Sequence, residues 1–341
     1  MAEKVRVGVV GCGHNGQAFM KCYKECHLSA LAAICDLSEE RLKVAGDQFS
    51  VARRYTNIDE MLEKEDLDCV SVNTSDPFHR DPFVKAIEAG KHVFVEKPFG
   101  NTVEDVEAMV AAARKSNAKT LVGHILRFNP YFAKIKDLSD TGALGEIFYM
   151  EADYIHNLFG QGKPERFNPA IGMNWYLDRE IPIVGGGVHQ LDLLRWYCGS
   201  NVVEVAGYGN SIAFPDMKNP DCQSAVFKME SGAVAKVAAL YGPVGPRPEH
   251  CNMAVYGTKG TVRGGKLYLG AGHDAGEQDL SGLAVSGHPY MPEVEHFMDC
   301  ILNDKPTLTD AFDGANSAIA CILAAEAIRT REKKRAPIYR R

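Results

Sequence analysis

Three glycines spaced as GxGxxG, in Gly11-Cys12-Gly13-His14-Asn15-Gly16, are followed about twenty residues later by Asp36. Glycines in such a turn let a pyrophosphate approach the backbone. The N-terminus of the helix they open attracts its charge. A carboxylate at Asp36 suits the free 2′- and 3′-hydroxyls of an adenine ribose and repels a 2′-phosphate. The pattern predicts a nicotinamide dinucleotide, NAD rather than NADP, held by Gly11, Gly13, His14, Asn15, Gly16 and Asp36. The plainer alternative is a glycine turn beside a helix-capping aspartate.

Three further segments carry reactive side chains. Asn73-Thr74-Ser75-Asp76-Pro77-Phe78-His79 leaves the end of a short apolar run. Ligands of open α/β sheets bind at the carboxyl ends of such strands. Thr74 and His79 are therefore cofactor-side candidates, with loop support the competing role for His79. Glu96-Lys97-Pro98 follows the strand-like His92 to Val95. A lysine beside the positive nicotinamide ring loses affinity for its proton, because like charges disfavour the ammonium. Lys97 could then bind a substrate hydroxyl and assist its proton transfer, and Glu96 joins the cofactor set. The third segment, Gly185-Gly186-Gly187-Val188-His189-Gln190-Leu191-Asp192, combines a glycine run with a histidine. The run permits close approach to a ligand. Histidine suits acid/base work near neutral pH, and Asp192 follows it by one helical turn. The competing roles are a buried, hydrogen-bonded imidazole and a helix-orienting aspartate.

The elements that must position these groups follow from periodicity. Val5 to Val10, Leu28 to Cys35, Cys69 to Asn73, His92 to Val95 and Thr120 to Val122 read as buried strands. Helices lie between them. Ser38 is placed to cap one that runs to Phe49, Thr102 to cap Val103 to Lys115, and Gly90 to stop Asp81 to Ala89. This alternation predicts a parallel sheet covered by helices. Beyond about residue 123 longer alternating runs predict an open, mostly antiparallel sheet. They are Ile147 to His156, Val202 to Asn210, Cys222 to Met229, Ala233 to Leu240 and Cys251 to Tyr256. Helical patterns close the chain at Pro292 to Leu302 and Asp310 to Arg331. The expected class is α/β, with a dinucleotide-binding domain over 1–123 and a second α/β domain over 124–341.

Composition narrows the function classes. The chain has 341 residues and a formal net charge of -6, which disfavours a nucleic-acid partner. The basic cluster from Arg329 to Arg341 reads as a solvated end of a helix, with a binding tail as the alternative. The sequence shows neither a transmembrane segment nor a signal peptide, so a cytoplasmic location without a membrane partner is expected. The ten cysteines form no CxxC pair, and no metal site is expected. Cys12 reads as filler in the turn, with a redox-sensitive thiol as the alternative.

In combination, the glycine turn, Asp36, Glu96-Lys97-Pro98, Arg127-Phe128-Asn129-Pro130 and the glycine run ending in His189 resemble one family. It is the glucose–fructose oxidoreductase / inositol dehydrogenase / MocA family, and the likeness spans nearly the whole chain. The resemblance implies a Rossmann domain and a C-terminal domain whose open sheet supports homo-oligomers, dimers or tetramers. It implies hydride exchange between NAD(P) and a carbon bearing a hydroxyl, usually on a sugar, inositol or related polyol. Lys97 would be the catalytic lysine, His189 the substrate-side histidine, and the Lys97–Pro98 bond cis. Lys97, Arg127, Tyr154, His156, Asn157, Trp175, His189 and Asp192 form the candidate substrate set, with packing or loop support the competing role for Arg127, Tyr154, His156, Asn157 and Trp175. Many members carry an aspartate four residues before the histidine, where this chain has Gly185. That departure leaves open glycoside cleavage through transient oxidation by bound NAD; a non-catalytic dinucleotide-binding regulator is a separate alternative, against which Lys97 and His189 argue.

Overall fold

The computed structural model describes residues 4–341 except 157, 159–174, 246–250, 271, 273–274 and 286, and leaves out the side chains of Trp175 and Tyr176. Asn157, a candidate substrate residue, lies outside the described residues.

The chain forms two compact units, 1–125 with 288–315 and 339–341, and 126–287 with 316–338. The first unit contains β1 (Val5–Val10), β2 (Ser29–Cys35), β3 (Arg54–Tyr55), β4 (Cys69–Val72), β5 (His92–Val95) and β6 (Thr120–Val122). All pair in parallel in the order β3-β2-β1-β4-β5-β6. Their continuous apolar sequences fit strands covered on both faces. The order reverses between β1 and β4, which is where open α/β sheets of this order bind dinucleotides.

Helices α1 (His14–Glu25), α2 (Glu39–Gln48), α3 (Ile58–Lys64), α4 (Arg80–Glu88) and α5 (Val103–Arg114) connect the strands. The expected caps are present. Ser38 Oγ accepts from Arg41 N at 3.3 Å and Thr102 Oγ1 from Asp105 N at 3.1 Å. Gly90 ends the α4 segment with φ of 73°.

The second unit contains α6 (Pro130–Asp140), β7 (Ile147–Ile155), α7 (Trp175–Asp178), α8 (Pro182–Gly185) and α9 (Val188–Cys198). They are followed by β8 (Val202–Asn210), β9 (Cys222–Met229), β10 (Val234–Leu240), β11 (Ala254–Gly257), β12 (Gly260–Arg263), β13 (Lys266–Leu269) and β14 (Gly276–Asp279). The chain closes with α10 (Tyr290–Leu302), α11 (Ala311–Thr330) and β15 (Lys334–Arg335). The second sheet runs β14-β13-β12-β11-β7-β10-β9-β8-β15. Only the β7–β10 pair is parallel among its described ladders. Its inner face supplies Met150, Val205, Phe227 and Val237 to a core with Tyr131 and Ile135 of α6 and Leu191 and Leu194 of α9.

Three differences from the sequence reading have simple causes. Residues 288–315 belong with the first unit, although everything after 123 was expected in the second. Val294, Phe297 and Met298 of α10 join the core of Phe19, Met20 and Tyr23, and Thr309 Oγ1 donates to Val122 O at 2.8 Å. The basic tail is not merely solvated: β15 pairs with β8, and Lys333 meets Glu204 at 3.1 Å. The four-residue strands β12 to β14 are too short and mixed in polarity to read from periodicity. α11, with 20 residues, is long and apolar enough to cross a bilayer, but 72% of its most apolar 18-residue stretch is buried, as in a core helix.

Candidate active site

The glycine turn has a separate reason for each glycine. Gly11 has φ of 96°, and a Cβ there would stand 2.6 Å from the backbone carbonyl of Asn73. At Gly16 a Cβ would meet Gly11 O at 1.9 Å. Gly13 has nothing within 4 Å and leaves the outer face of the turn open. The helix that follows differs from its neighbours. α2, α3 and α5 carry side-chain caps and acids in their first turns, whereas α1 has neither. Its N-terminal N–H groups and positive dipole end therefore remain available to an anion.

Asp36 directly follows β2, with its carboxylate shaping the turn. Oδ2 accepts from Cys12 N and Oδ1 from Ser38 N, each at 2.8 Å. Each carboxylate oxygen has a second lone pair for a ribose hydroxyl. Arg41 Nη1 lies 3.8 Å from Oδ1 on an exposed side chain. Cys12 is buried, and burial followed by the charge of Asp36 pushes its thiol up to about 12. It therefore stays protonated near neutral pH, against the reactive-thiol alternative.

Beyond β4, Thr74 Oγ1 donates to Phe78 O at 3.0 Å, which places its hydroxyl in the loop. The His79 ring is buried, with Nδ1 2.8 Å from Pro98 O and Nε2 2.9 Å from Thr74 O. His79 thus clasps this loop to the Glu96-Lys97-Pro98 segment, the structural role weighed for it. The Lys97–Pro98 bond is cis. Glu96 Oε2 accepts from Lys97 N at 3.0 Å. Burial raises the Glu96 carboxyl above the ordinary range, opposed by Lys97, by a hydrogen bond from the Asn15 side chain and by His79. That bond to Asn15 ties the segment bearing Lys97 to the glycine turn.

Sequence reasoning missed two residues here. Tyr290 Oη donates to Asn15 Oδ1 at 2.9 Å. Burial, then the charges of Glu96 and Glu293, push Tyr290 up to about 12. Glu293 is buried, and neither of its carboxyl oxygens has a hydrogen-bond partner among the described residues. Burial and then Glu96 raise it well above the carboxylate range. An acid beside Val294, Phe297 and Met298, on the apolar face of α10, was the available signal.

In the second unit the glycine run makes room for protein rather than for a ligand. A Cβ at Gly185 would lie 2.5 Å from Glu180 Oε1, one at Gly186 2.3 Å from the Tyr154 ring, and one at Gly187 2.9 Å from Ile183 O. The expectation of a ligand pressed against these glycines is corrected accordingly. His189 sits at the start of α9, buried, with its ring stacked on Tyr154 at 6.2 Å and 20°. His156 follows β7. Its Nδ1 lies 3.2 Å from Tyr154 Oη, and its ring is 5.3 Å from that of Tyr241. Trp175 opens α7.

Arg127 and Asp192 were expected on the substrate side, but each holds the other. Arg127 Nε and Nη2 donate to the two Asp192 oxygens at 2.8 Å, with the side chains only 3% and 1% exposed. Ser317 Oγ donates to Asp192 Oδ1 at 3.0 Å, and the guanidinium lies 5.1 Å from the Trp196 ring centroid. A bidentate fork of this kind is a structural tie between α9 and the segment before α6. Among the described residues no cluster of His, Cys, Asp and Glu could hold a metal ion.

Residues 5–124 match the model of the oxidoreductase family with an NAD-binding Rossmann fold, and residues 132–263 match the GFO/IDH/MocA C-terminal domain. The chain belongs to the GFO/IDH/MocA family. It is an oxidoreductase whose first unit is an NAD-binding Rossmann domain. Similar members include myo-inositol 2-dehydrogenase of Thermotoga maritima, 25% identical with 97% of both chains covered. The scyllo-inositol 2-dehydrogenase (NAD(+)) of Bacillus subtilis is 26% identical over 91% of this chain and 90% of its own. Scyllo-inositol dehydrogenase from Lactobacillus casei, solved with NAD(H) and scyllo-inositol, shares the fold. Its TM-score is 0.81 at 22% identity, covering 98% of this chain and 99% of that one.

Proposed function

We propose that this protein is an NAD-dependent dehydrogenase acting on a secondary alcohol or ketone of a sugar, inositol or related polyol. The observation that carries the reading is the placement of Lys97 directly after β5, on a segment bound through Glu96 to Asn15 of the glycine turn. The dehydrogenases named above support the substrate class. The uncapped α1 and the open face at Gly13 fit the pyrophosphate, and Asp36 fits the adenine ribose.

Bound NAD supplies the hydride acceptor at its nicotinamide ring. Oxidising a secondary alcohol also releases the hydroxyl proton, and the neutral amine of Lys97 accepts it; in reduction the ammonium returns it. His189, buried against Tyr154 in the second unit, is the second residue assigned to acid/base work. His79 and the Asp36 carboxylate act on the frame, holding the two loops that would border the cofactor.

The outer face of the second sheet supports assembly into a homo-oligomer, a dimer or a tetramer. Register places Val226 and Tyr208 there, with Tyr149 opposite Tyr256, and Tyr208 is 80% exposed. Light scattering on a sizing column measures the assembly.

The deciding experiment is a panel of sugars and cyclitols with NAD and NADP, followed at the NADH absorbance band. Stereoselective NAD reduction by a polyol is the expected result. Absence of turnover across the panel, with NAD bound, would refute the dehydrogenase reading. Sugar turnover without net NADH would replace it with the glycoside-cleaving alternative.

A further inference from the structure

The family pattern places an aspartate where this chain has Gly185, four residues before His189. The structure shows a carboxylate at that place nonetheless. A Cβ on Gly185 would stand 2.5 Å from Glu180 Oε1 and 3.0 Å from both Cδ and Oε2. The acid group of Glu180 therefore fills the space that a side chain at 185 would claim. A side chain at 185 would have to displace that carboxylate from its place.

Glu180 is only 5% exposed and is held at both ends. Its backbone oxygen accepts from Asn219 Nδ2 at 2.9 Å, and Oε1 accepts a short hydrogen bond from Tyr241 Oη. The Tyr241 ring lies 5.3 Å from His156 and 6.0 Å from Tyr154. Tyr154 Oη meets His156 Nδ1 at 3.2 Å, and the Tyr154 ring stacks on His189. Carboxylate, two phenols and two imidazoles thus form one sequence of contacts that ends at His189, all of them buried except the half-buried Tyr154. Gly186 lets the Tyr154 ring lie against the turn, since a Cβ there would stand 2.3 Å from it. Burying a carboxylate is costly unless it is hydrogen-bonded, and here the Tyr241 hydroxyl supplies that bond.

We infer that Glu180 supplies the carboxylate that the motif lacks at Gly185 and serves as a positioning residue. Through Tyr241 it fixes the Tyr154–His156 pair and the ring stacked on it. Its negative charge favours the protonated form of the nearby imidazoles. The groups of this cluster are Tyr241 after β10, Tyr154 and His156 at the end of β7, and His189 on α9; Asp221 holds Tyr241 N through its backbone oxygen, while its carboxylate accepts from Phe214 N. Asp178 and Arg179 precede Glu180 and are exposed. The inference rests on the dehydrogenase reading for its kinetic consequence, though not for its geometry.

The test moves the carboxylate. With the best polyol of the panel, Glu180→Gln is expected to lower kcat about ten- to a hundredfold with little change in KM. The acid limb of the pH–rate profile should shift downward, because the imidazole loses its negative neighbour, and NAD affinity by calorimetry should stay within about twofold. Gly185→Asp alone should lower Tm, because its Cβ meets the Glu180 carboxylate. The double variant Glu180→Ala with Gly185→Asp should recover stability and regain at least about tenfold in kcat over Glu180→Ala. Unchanged rate and pH profile in Glu180→Gln would overturn the inference, as would a double variant no better than Glu180→Ala. If the parent protein oxidises no polyol, the dehydrogenase reading fails on its own. The assignment is then decided by histidine side-chain NMR. Glu180→Gln lowers the titration midpoint of His156 or His189 if the inference holds and leaves both unchanged if it does not.

Discussion

Replacing Arg127 by Met tests whether this residue binds substrate or holds the second unit together. Methionine keeps much of the apolar stem but removes the guanidinium. Asp192 then loses two hydrogen bonds of 2.8 Å and keeps Ser317 Oγ at 3.0 Å and the more distant Arg195 at 4.0 Å. The carboxylate is 1% exposed, so water cannot replace the lost fork without opening the core. Breaking a buried pair from one side costs about 3–5 kcal/mol. Domains with ~150–250 residues lose about 2–4 °C of Tm per kcal/mol, so the expected drop is roughly 6–20 °C. Calorimetry or circular dichroism at pH 7, with urea titration in parallel, measures it. Arg127→Met with Asp192→Leu should recover much of the loss, because the orphaned charge is gone. The reasoning is refuted if Arg127→Met melts within about 1 °C of the parent while KM for the polyol rises sharply. Arg127 would then be a ligand-binding cation.

Three further outcomes are expected. Catalytic efficiency should favour NAD over NADP by at least about tenfold, because a 2′-phosphate would meet the buried Asp36 carboxylate; Arg41, 3.8 Å away, softens the preference, and comparable efficiencies would remove Asp36 as its source. Lys97→Ala should abolish most turnover while calorimetric NAD affinity stays nearly unchanged; near-normal turnover would exclude Lys97 from proton transfer. Glu293→Gln should raise Tm at pH 8 but not at pH 4. Burial and Glu96 raise the Glu293 carboxyl, with Tyr290, Tyr23 and Cys22 also facing it, so the folded protein binds this proton more tightly than the unfolded chain. Stability from that group is complete below the ordinary value of 4.5 and falls as pH rises above it, and the neutral amide lacks this loss. A Tm difference that does not vary with pH would contradict a Glu293 carboxyl raised by folding.

Local chemistry was enough to read the dinucleotide-binding half. The strand, glycine turn, helix and Asp36 occupy one short stretch, and the caps at Ser38 and Thr102 depend on neighbours three residues away. Apolar alternation likewise revealed the long strands β7 to β10, because a half-buried strand repeats every two residues. Only the tertiary structure decided what the polar groups face. Arg127 and Asp192 are 65 residues apart in sequence and neutralise each other in the core, which composition and spacing cannot show. The return of α10 to the first unit depends on the fit of Val294, Phe297 and Met298 to Phe19 and Met20. The apparent gap at Gly185 had the same origin. A sequence motif records which residue occupies a position, whereas the Glu180 carboxylate reaches the space beside Gly185 from five residues earlier in the chain.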